Sequence, residues 1–405
     1  MIVLSLLTLC ATANAQVLPG IDVLANNDFR ELQGKRVGLV MNQTAVRRDA
    51  RQTTLDAFLA SDRCRLVALF APEHGIDGAV LAGDDVADQV EPKSGLVVHS
   101  LYGATKKPSR TMLKNIDVMV YDIQDIGVRS YTFISTLVKV MEGCAEAGLP
   151  LVVLDRPNPL GGEMVDGPVL DPAFNSFVGV LPIPYVYGLT AGELATMANA
   201  EGWLDGGVRC SLTVIRVQGW QRSMDWRETG LQWIPPSPHV PTPEAAFGLA
   251  ATGAIGEISV MSIGIGYTLP FELIGAPWMD GRMFASHLNE QRVAGIYFRP
   301  TTYKPFYGFG SGSVCSGAHV MRTGVNAAPF SATVVVLAAL RDVYRARSPF
   351  AAVPEDRWKM FDKICGGSRI REELLAGTPA SRIIEAWGPG LREYLSKREG
   401  YLLYE

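Results

Sequence analysis

The sequence predicts an α/β protein with a Rossmann-like domain on a mostly parallel sheet, followed by a smaller α+β C-terminal domain. Short apolar runs alternate with helical patterns as far as residue 159, which is the order expected of βαβ units. After the proline-rich segment WIPPSPHVPT (residues 233–242), glycine and β-forming residues become more frequent. We therefore place the Rossmann-like domain at residues 16–238 and the smaller domain, which would close over a cleft, at residues 239–405.

Size and composition limit the classes of protein that this chain can be. Its 405 residues are enough for two or three domains, and 48% apolar with 19% charged residues is typical of a folded globular protein. The net charge of −4 and the lack of a long Lys/Arg cluster argue against a nucleic-acid partner. No G-x-G-x-x-G motif follows the first predicted strand, so we expect no dinucleotide and no other cofactor.

The N-terminus predicts export. An apolar run over residues 2–10 leads to Ala13-Asn14-Ala15, which is a small-residue cleavage site before Gln16. We expect residues 1–15 to be a cleaved signal peptide and the mature chain to be periplasmic or extracellular. The apolar run is too short for a stable membrane span. The five remaining cysteines are widely spaced and form no C-x-x-C pair, which predicts buried free thiols rather than a disulfide framework or structural zinc.

The elements of the first domain follow one another in a βαβ order. Apolar runs predict strands that are buried on both faces, and a helical stripe ending at Gly148 predicts a helix with a glycine cap. In the second domain, residues 256–278 and 292–322 are strand-like, and residues 332–346 and 380–404 are helical. The predicted strands of the first domain cover residues 36–42, 64–72, 97–103, 116–125 and 150–159, and the predicted helices cover residues 53–61 and 131–148.

Polar side chains collect where these strands end. In LFAPEHGIDG (residues 69–78), Pro72 and Gly75 end the strand and leave Glu73 and His74 at its carboxyl end. Ligands of open α/β sheets bind at the carboxyl ends of the strands, so the polar clusters of several parallel strands should face one rim. The other candidates at this rim are Asn42, Asp122, Gln124, Asp125, Arg129, Tyr131, Asp155, Arg156 and Asn158.

These residue types are suited to a polyhydroxylated substrate. Neighbouring carboxylates separate one another's pKa values, as acid–base catalysis requires, and a glycosidase needs one carboxylic acid to protonate the leaving oxygen. Glu73, which follows a buried strand, is the natural candidate. The same carboxylates could bind Mg²⁺ or Ca²⁺ instead. They could also be structural, with Asp122 and Asp155 paired to arginines and Glu73 capping a helix.

Several motifs together resemble one known family. The chain is similar to the exo-β-N-acetylmuramidases of glycoside hydrolase family 171, formerly classified as the domain of unknown function DUF1343. The resemblance extends over nearly the whole chain after residue 15. The motifs are NQTA (residues 42–45), LFAPEHG (69–75), SLYG (100–103), DIQDIGVRSYTFISTL (122–137), VLDRPNPLGG (153–162), VDGPVLD (165–171), GLTAGELA (188–195), WIPPSPHVPT (233–242) and PFELIGAPW (270–278).

The resemblance implies a catalytic Rossmann-like domain and an exo-lytic activity. Members of the family release N-acetylmuramic acid from the non-reducing ends of peptidoglycan fragments, so a peptidoglycan-derived saccharide would be the partner. Glu73 would be the general acid, and His74, Asp122 and Asp125 would complete the catalytic set. The substrate-binding residues implied are Asn42, Gln124, Arg129, Tyr131, Asp155, Arg156, Asn158 and His239.

The chain departs from the family pattern in its second domain. Ile265 and Tyr267 stand where an Arg-Thr pair is usual, and His239 stands where asparagine is usual. Muramic acid carries a lactyl carboxylate, which arginine would bind in bidentate fashion. Either Arg129 binds this group or the substrate differs. Two alternatives therefore stand beside the muramidase hypothesis: a secreted wall-sugar binding protein without catalysis, and an exo-glycosidase for another acidic or N-acetylated sugar.

Overall fold

The computed structural model describes residues 16–405, so the predicted signal peptide, residues 1–15, lies outside the described residues. The first domain contains a sheet of seven strands in this described part of the chain. The strands are β1 (Arg36–Met41), β2 (Arg65–Ala71), β3 (Gln89–Val90), β4 (Val97–Ser100), β5 (Val118–Asp122), β6 (Leu151–Leu154) and β7 (Leu212–Ile215).

The sheet has the order β3-β4-β2-β1-β5-β6-β7, and all neighbouring strands are parallel except β3, which runs antiparallel to β4. Successive residues of β1 belong to opposite faces, because Leu39 packs in one hydrophobic cluster and Val40 in the other. Burial on both faces explains why these strands read as continuous apolar runs. The five predicted strands are confirmed, whereas the short strands β3 and β7 were not predicted.

Four helices of the first domain lie between or beside these strands. Thr53 and Thr190 each cap a helix, and in both cases the acidic side chain three residues later bonds back to the cap. Gly148 adopts the left-handed conformation, with φ of 68°, that ends the long helix before β6. The helices are α1 (Gly20–Asn26), α2 (Thr54–Ala60), α3 (Phe133–Ala147) and α4 (Ala191–Glu201).

The smaller domain contains an antiparallel sheet and a set of helices. The sheet has the order β8-β10-β9, with β8 (Leu273–Ala276), β9 (Ile296–Tyr303) and β10 (Cys315–Arg322). The helices are α5 (Pro243–Ile258), α6 (Gly281–Glu290), α7 (Pro329–Val343), α8 (Glu355–Cys365), α9 (Arg369–Leu375), α10 (Ala380–Glu385) and α11 (Gly388–Arg398).

One expectation for this domain was wrong in part. Residues 256–258 form the last turn of α5 instead of a strand, and within the predicted strand region 256–278 only β8 is a strand. The helix α5 is buried against α7 and α8, so apolar residues suit several of its sides. The prediction that residues 292–322 are strand-like is confirmed by β9 and β10, which pair with each other in antiparallel fashion. The predicted helices over residues 332–346 and 380–404 are also confirmed.

The chain returns to the first domain after α11. Residues 402–405, which we call the C-terminal strap, form hydrogen bonds with the first domain, one of them from the Val217 N–H to the Tyr404 hydroxyl (3.0 Å). The Leu403 N–H donates to Glu193 (2.8 Å), the Tyr404 hydroxyl donates to Asp155 (2.5 Å), and the Glu405 carbonyl accepts from the Arg222 N–H (2.7 Å). The strap therefore contacts the side chains at the end of β6 and the start of α4.

The cysteine expectation holds in residues 16–405, where all five cysteines are buried and free. Burial raises the pKa of the Cys144 and Cys210 thiols, which keeps them protonated and unreactive. None of the helices between residues 16 and 405 combines the length and the apolar content that crossing a membrane requires.

Candidate active site

Glu73 lies in a sharp turn immediately after β2. His74 and Gly75 both have positive φ, 73° and 78°, so the chain reverses within two residues and leaves Glu73 at the strand end. The carboxylate is 7% exposed; one oxygen accepts the Gly83 N–H (3.0 Å) and the other accepts the Thr132 hydroxyl. Two separate segments thus hold the carboxylate in one orientation, and both oxygens keep unused lone pairs.

The Tyr102 ring lies beside the same carboxylate. Burial first, and then the negative charge of Glu73, raise the pKa of Tyr102 above its ordinary value. The hydroxyl therefore stays protonated over the whole physiological range. Tyr102 belongs to the SLYG motif, but its sequence position does not indicate its distance from Glu73, so the sequence does not predict it as a site residue.

His74 is oriented by the loop that follows it. Its Nδ1 lies 2.7 Å from the Val80 carbonyl oxygen, which can only accept, so Nδ1 carries the proton and Nε2 is free to accept one. His239 comes close to His74 from the proline-rich segment: burial first, and then the charge of His74, lower the pKa of His239. The two histidines are thus within electrostatic range of each other although 165 positions separate them in the sequence.

Tyr131 and Asp125 lie next to this group. The Tyr131 hydroxyl is buried without a hydrogen-bond partner among the described residues, and the charges of Asp125 and Glu73 both contribute to raising its pKa, after burial. Asp125 accepts the Gly127 N–H (2.7 Å) and the Tyr187 hydroxyl on one oxygen, while its other oxygen has no described partner. Burial raises the pKa of Asp125 to about 6.

Unpaired polar atoms are concentrated at the ends of β1 and β5. Because buried polar atoms are nearly always hydrogen-bonded, such a concentration indicates where water or a ligand would bind. The Gln43 amide also donates to the carbonyls of Pro235 (2.8 Å) and Pro236 (3.1 Å), which holds the proline-rich segment over this rim. The buried atoms without a partner in residues 16–405 include Asn42 Nδ2, Gln43 Oε1, Gln124 Oε1, Asp125 Oδ1 and the Tyr131 hydroxyl.

Asp122 and Arg156 form a buried ion pair with each other. Arg156 donates through Nε to one Asp122 oxygen (2.6 Å) and through a terminal nitrogen to the other (2.9 Å), and the Thr54 hydroxyl also bonds to Asp122. Asp122 has no exposed surface. The structure therefore places both side chains beneath the rim, in the structural pairing that the sequence left open as an alternative to a catalytic or binding role.

Asp155 and Asn158 are also fully engaged by the protein. Asp155 accepts four hydrogen bonds, from the N–H groups of Arg156 and Gly192 and from the hydroxyls of Thr190 and Tyr404. Burial raises the pKa of Asp155 to about 6 in spite of these donors. Asn158 bonds to the Leu189 carbonyl and the Leu160 N–H. Neither side chain is brought to the group around Glu73.

Arg129 lies in the interior instead of the cleft. It has no exposed surface, and its guanidinium donates to the carbonyls of Pro168 (2.7 Å), Ile183 (2.7 Å) and Ile364 (2.9 Å). Ile364 belongs to α8, so Arg129 joins the two domains. A substrate carboxylate has no access to this guanidinium, and the expectation that Arg129 replaces the missing arginine is therefore not supported by its position.

Ile265 and Tyr267 occupy the place of the Arg-Thr pair, and Tyr267 belongs to a group of aromatic side chains. Tyr267 stacks on Phe306, with centroids 6.0 Å apart and an angle of 27° between the rings. The neighbouring Tyr307 hydroxyl lies 3.0 Å from His239 Nε2, which connects this aromatic group to the proline-rich segment. Phe306 is 75% exposed and Tyr307 is 53% exposed. No sequence pattern indicates a role for Phe306 and Tyr307, because they lie in the glycine-rich loop between β9 and β10, which has no periodicity.

A separate cavity of about 430 Å³ lies between the domains. Its lining includes Trp226, Phe247, Arg322 and the Glu272–His319 pair, whose N and O atoms are 3.3 Å apart. Glu73 is not part of this lining. In residues 16–405, no group of three or more His, Cys, Asp and Glu side chains is arranged to hold a metal ion.

The fold and site together define a two-domain α/β protein whose candidate acid lies at a strand end of the larger domain, under a segment leading to the smaller one. The chain belongs to the exo-β-N-acetylmuramidase NamZ family. The N-terminal family model matches residues 37–244, and the C-terminal family model matches residues 249–404.

Known proteins of similar sequence and structure support this assignment. The chain is 38% identical over 390 residues to the peptidoglycan β-N-acetylmuramidase NamZ of Bacillus subtilis, covering 96% of this chain and 92% of that protein. It is also similar to a crystal structure of a DUF1343 family protein from Bacteroides fragilis, with a TM-score of 0.91 and 40% identity. A second such protein from the same species has a TM-score of 0.73 and 29% identity. Each comparison covers 96% of this chain and 99% of the solved chain.

Proposed function

We propose that this protein is an exo-acting glycoside hydrolase that releases N-acetylmuramic acid from non-reducing ends of peptidoglycan fragments, with Glu73 as general acid. The main support is the position of Glu73, a nearly buried carboxylate at a strand end in a chain 38% identical to a peptidoglycan β-N-acetylmuramidase. The cleavable N-terminal segment predicted from the sequence agrees with an exported enzyme acting on wall fragments.

The surroundings of Glu73 suit a group that gains and loses a proton. The Gly83 N–H is a fixed donor, so the oxygen that it contacts remains an acceptor. The other oxygen contacts the Thr132 hydroxyl, which can rotate to donate to a carboxylate or to accept from a carboxylic acid. The oxygen on the Thr132 side can therefore carry the proton. As that proton passes to the leaving oxygen, the Thr132 hydroxyl turns to donate to the carboxylate that remains.

The remaining proposed roles follow from position. Asp125 keeps one oxygen without a described partner, and we assign it to orienting water or stabilising the positive charge that develops on the sugar ring. His74 presents an acceptor nitrogen beside His239. The unpaired amide and hydroxyl atoms of Asn42, Gln124 and Tyr131 would bind sugar hydroxyl or acetamido groups.

The proposal is tested by incubating the purified chain with 4-nitrophenyl β-N-acetylmuramide, with the matching glucosaminide, and with a β-linked muramyl disaccharide. Release from the muramyl substrates, and not from the glucosaminide, is the expected result. Release of single sugars rather than internal cleavage of longer fragments would support exo action. Absence of any release, with measurable sugar binding, would instead indicate a wall-sugar binding protein.

A second candidate is an exo-glycosidase for an uncharged N-acetylated sugar. It is favoured by Ile265 in the place of an arginine and by the burial of Arg129, since both observations remove a cation from the expected carboxylate site. Preferential hydrolysis of the glucosaminide in the same assay would support this second function and contradict the first.

A further inference from the structure

A small cluster beside Glu73 consists of Tyr102, Phe177 and Lys106, and we call it the aromatic–lysine cluster. The rings of Tyr102 and Phe177 are tilted by 54°, with their centroids 5.8 Å apart. The Lys106 ammonium lies over the Phe177 ring, 4.7 Å from its centroid. Ala71 of β2 pairs with Ser100 of β4, so Glu73 and Tyr102, each two residues further on, lie at the same end of these neighbouring strands. The charge of Glu73 also contributes, after burial, to raising the pKa of Tyr102.

Lys106 has a charge that the protein itself does not neutralise by an ion pair within residues 16–405. The next residue, Lys107, is paired with Glu146 at 2.6 Å. The two arginines that the sequence predicted at the rim are buried and engaged, Arg156 with Asp122 and Arg129 with carbonyls. Lys106 is exposed, yet the Phe177 ring favours one location for its ammonium through a cation–π contact.

One nearby carboxylate must be considered in judging this charge. Asp85 lies beside Tyr102, where its charge contributes to raising the pKa of that hydroxyl, after burial and Glu73. It forms no ion pair with Lys106 in the described structure, and it contacts the Gly103 position instead. The ammonium therefore remains available to an incoming anion.

The chemistry of the cluster matches an acidic sugar. A pyranose ring presents flat apolar faces that pack against aromatic side chains, and an ammonium restricted by a ring loses less freedom when it binds a carboxylate. Muramic acid has its carboxylate on a lactyl group attached to C3, which is two ring positions from the anomeric carbon. Glu73 would protonate the leaving oxygen on that anomeric carbon. One sugar could thus contact both the acid and the cluster.

We propose that Lys106 binds the lactyl carboxylate of the muramyl residue, while Tyr102 and Phe177 form a wall against its ring. This inference rests on the proposed function, because it concerns the sugar that the proposed reaction releases. It assigns the recognition of charge to the larger domain, in a chain that lacks the arginine usual in the smaller domain.

The test measures binding of N-acetylmuramic acid and N-acetylglucosamine by calorimetry to the wild-type chain and to Lys106→Met, Lys106→Arg and Lys107→Met. The wild type should bind the muramic acid about tenfold more tightly, because a charge-assisted contact is added. Lys106→Met should bind the two sugars equally, Lys106→Arg should restore most of the preference, and Lys107→Met should resemble the wild type. The preference should also weaken at high salt.

Two results would overturn the inference: a Lys106→Met chain that keeps the preference, or a wild-type chain that shows none. Phe177→Leu provides a second variant, and it should weaken the binding of both sugars because the wall is lost. The proposed function fails separately, by absence of sugar release from the muramyl substrates, so a failure of charge recognition and a failure of catalysis are distinguishable.

Discussion

The buried carboxylates at the strand ends of the larger sheet form two groups, which differ in how completely the protein satisfies their hydrogen-bonding capacity. At the end of β6, Asp155 accepts four hydrogen bonds, and at the end of β5, Asp122 is paired with Arg156. At the end of β2, Glu73 accepts two, and near it Asp125 keeps one oxygen without a described partner. Asp155 and Asp122 form the structural group, which holds the fold together. Glu73 and Asp125 form the open group, which has hydrogen-bonding capacity left for a substrate.

The largest effect should come from Glu73→Gln. Turnover of a muramyl disaccharide should fall about 1,000-fold, because the leaving sugar no longer receives a proton. The loss should be smaller with the 4-nitrophenyl substrate, since nitrophenolate departs without protonation. The melting temperature should change little, because the amide oxygen can still accept the Gly83 N–H and the amide group can still contact the Thr132 hydroxyl.

A matched control is Asp77→Asn, which changes an exposed carboxylate in the same loop. It should leave turnover of both substrates near the wild-type value. If Glu73→Gln kept more than about a tenth of the disaccharide activity, the general-acid assignment would be wrong, since general acids contribute well beyond that.

The substitution Asp122→Asn tests the structural role of the buried pair of Asp122 and Arg156. Removing this charge leaves Arg156 buried without its partner, and the free energy of unfolding should fall by about 3–5 kcal/mol. Urea unfolding measures this change. At a temperature where the variant is folded, its turnover should stay close to that of the wild type. The control Glu385→Gln removes an exposed pair with Arg382 and should have a small effect.

A loss of activity in folded Asp122→Asn, without a loss of stability, would return Asp122 to the catalytic set. The contrast between the structural and the open group of carboxylates would then fail, because a fully paired carboxylate would be acting on the substrate.

Asp155 should make stability depend on pH. Its pKa is raised from 3.8 to about 6 by burial, so the folded chain holds this proton more tightly than the unfolded chain. The resulting stabilisation is fully present below pH 3.8 and is lost as the pH rises through about 6, with a magnitude on the order of 3 kcal/mol. Unfolding free energies measured across this range should decline less steeply in Asp155→Asn than in the wild type. An unchanged slope would contradict the shifted pKa.

The smallest of these effects is expected for Tyr404→Phe in the C-terminal strap. The variant loses the hydroxyl that donates to Asp155 and accepts from the Val217 N–H, which should lower the free energy of unfolding by about 2 kcal/mol. Tyr401→Phe is the control, because its hydroxyl bonds to Glu201 closer to the surface. Equal effects of both substitutions on the free energy of unfolding would indicate that the Asp155 contact stabilises the fold no more than the contact nearer the surface.

The sheet of the first domain could be predicted from the sequence because burial on both faces produces apolar runs with clear ends. Glu73 and His74 could be placed at a strand end for the same reason. The pairing of Asp122 with Arg156 could be considered but not decided, since their sequence patterns resemble that of a ligand site. The burial of Arg129 could not be foreseen, because its three acceptor carbonyls come from separate parts of the chain.

The smaller domain was harder to predict. Residues 256–258 directly precede a run of β-forming residues in the sequence but continue α5, since tertiary packing overrides weak local preference. Tyr102 and Thr132 lay within recognised motifs but could not be assigned to Glu73, because their distances depend on how β2, β4 and α3 are arranged. The roles of the cleft residues could thus be assigned only from the three-dimensional arrangement, which a single sequence does not reveal.

The strap has a consequence for the order in which the protein can fold during synthesis. Tyr404 bonds to Asp155 at a sequence separation of 249 positions. The ribosome synthesises every strand of the larger sheet long before it reaches residue 404. Until then, Asp155 of the nascent larger domain lacks one of its four hydrogen-bond donors. Completion of the larger domain is therefore coupled to synthesis of the smaller one. A chain truncated after the large sheet would have a less stable larger domain than the whole protein.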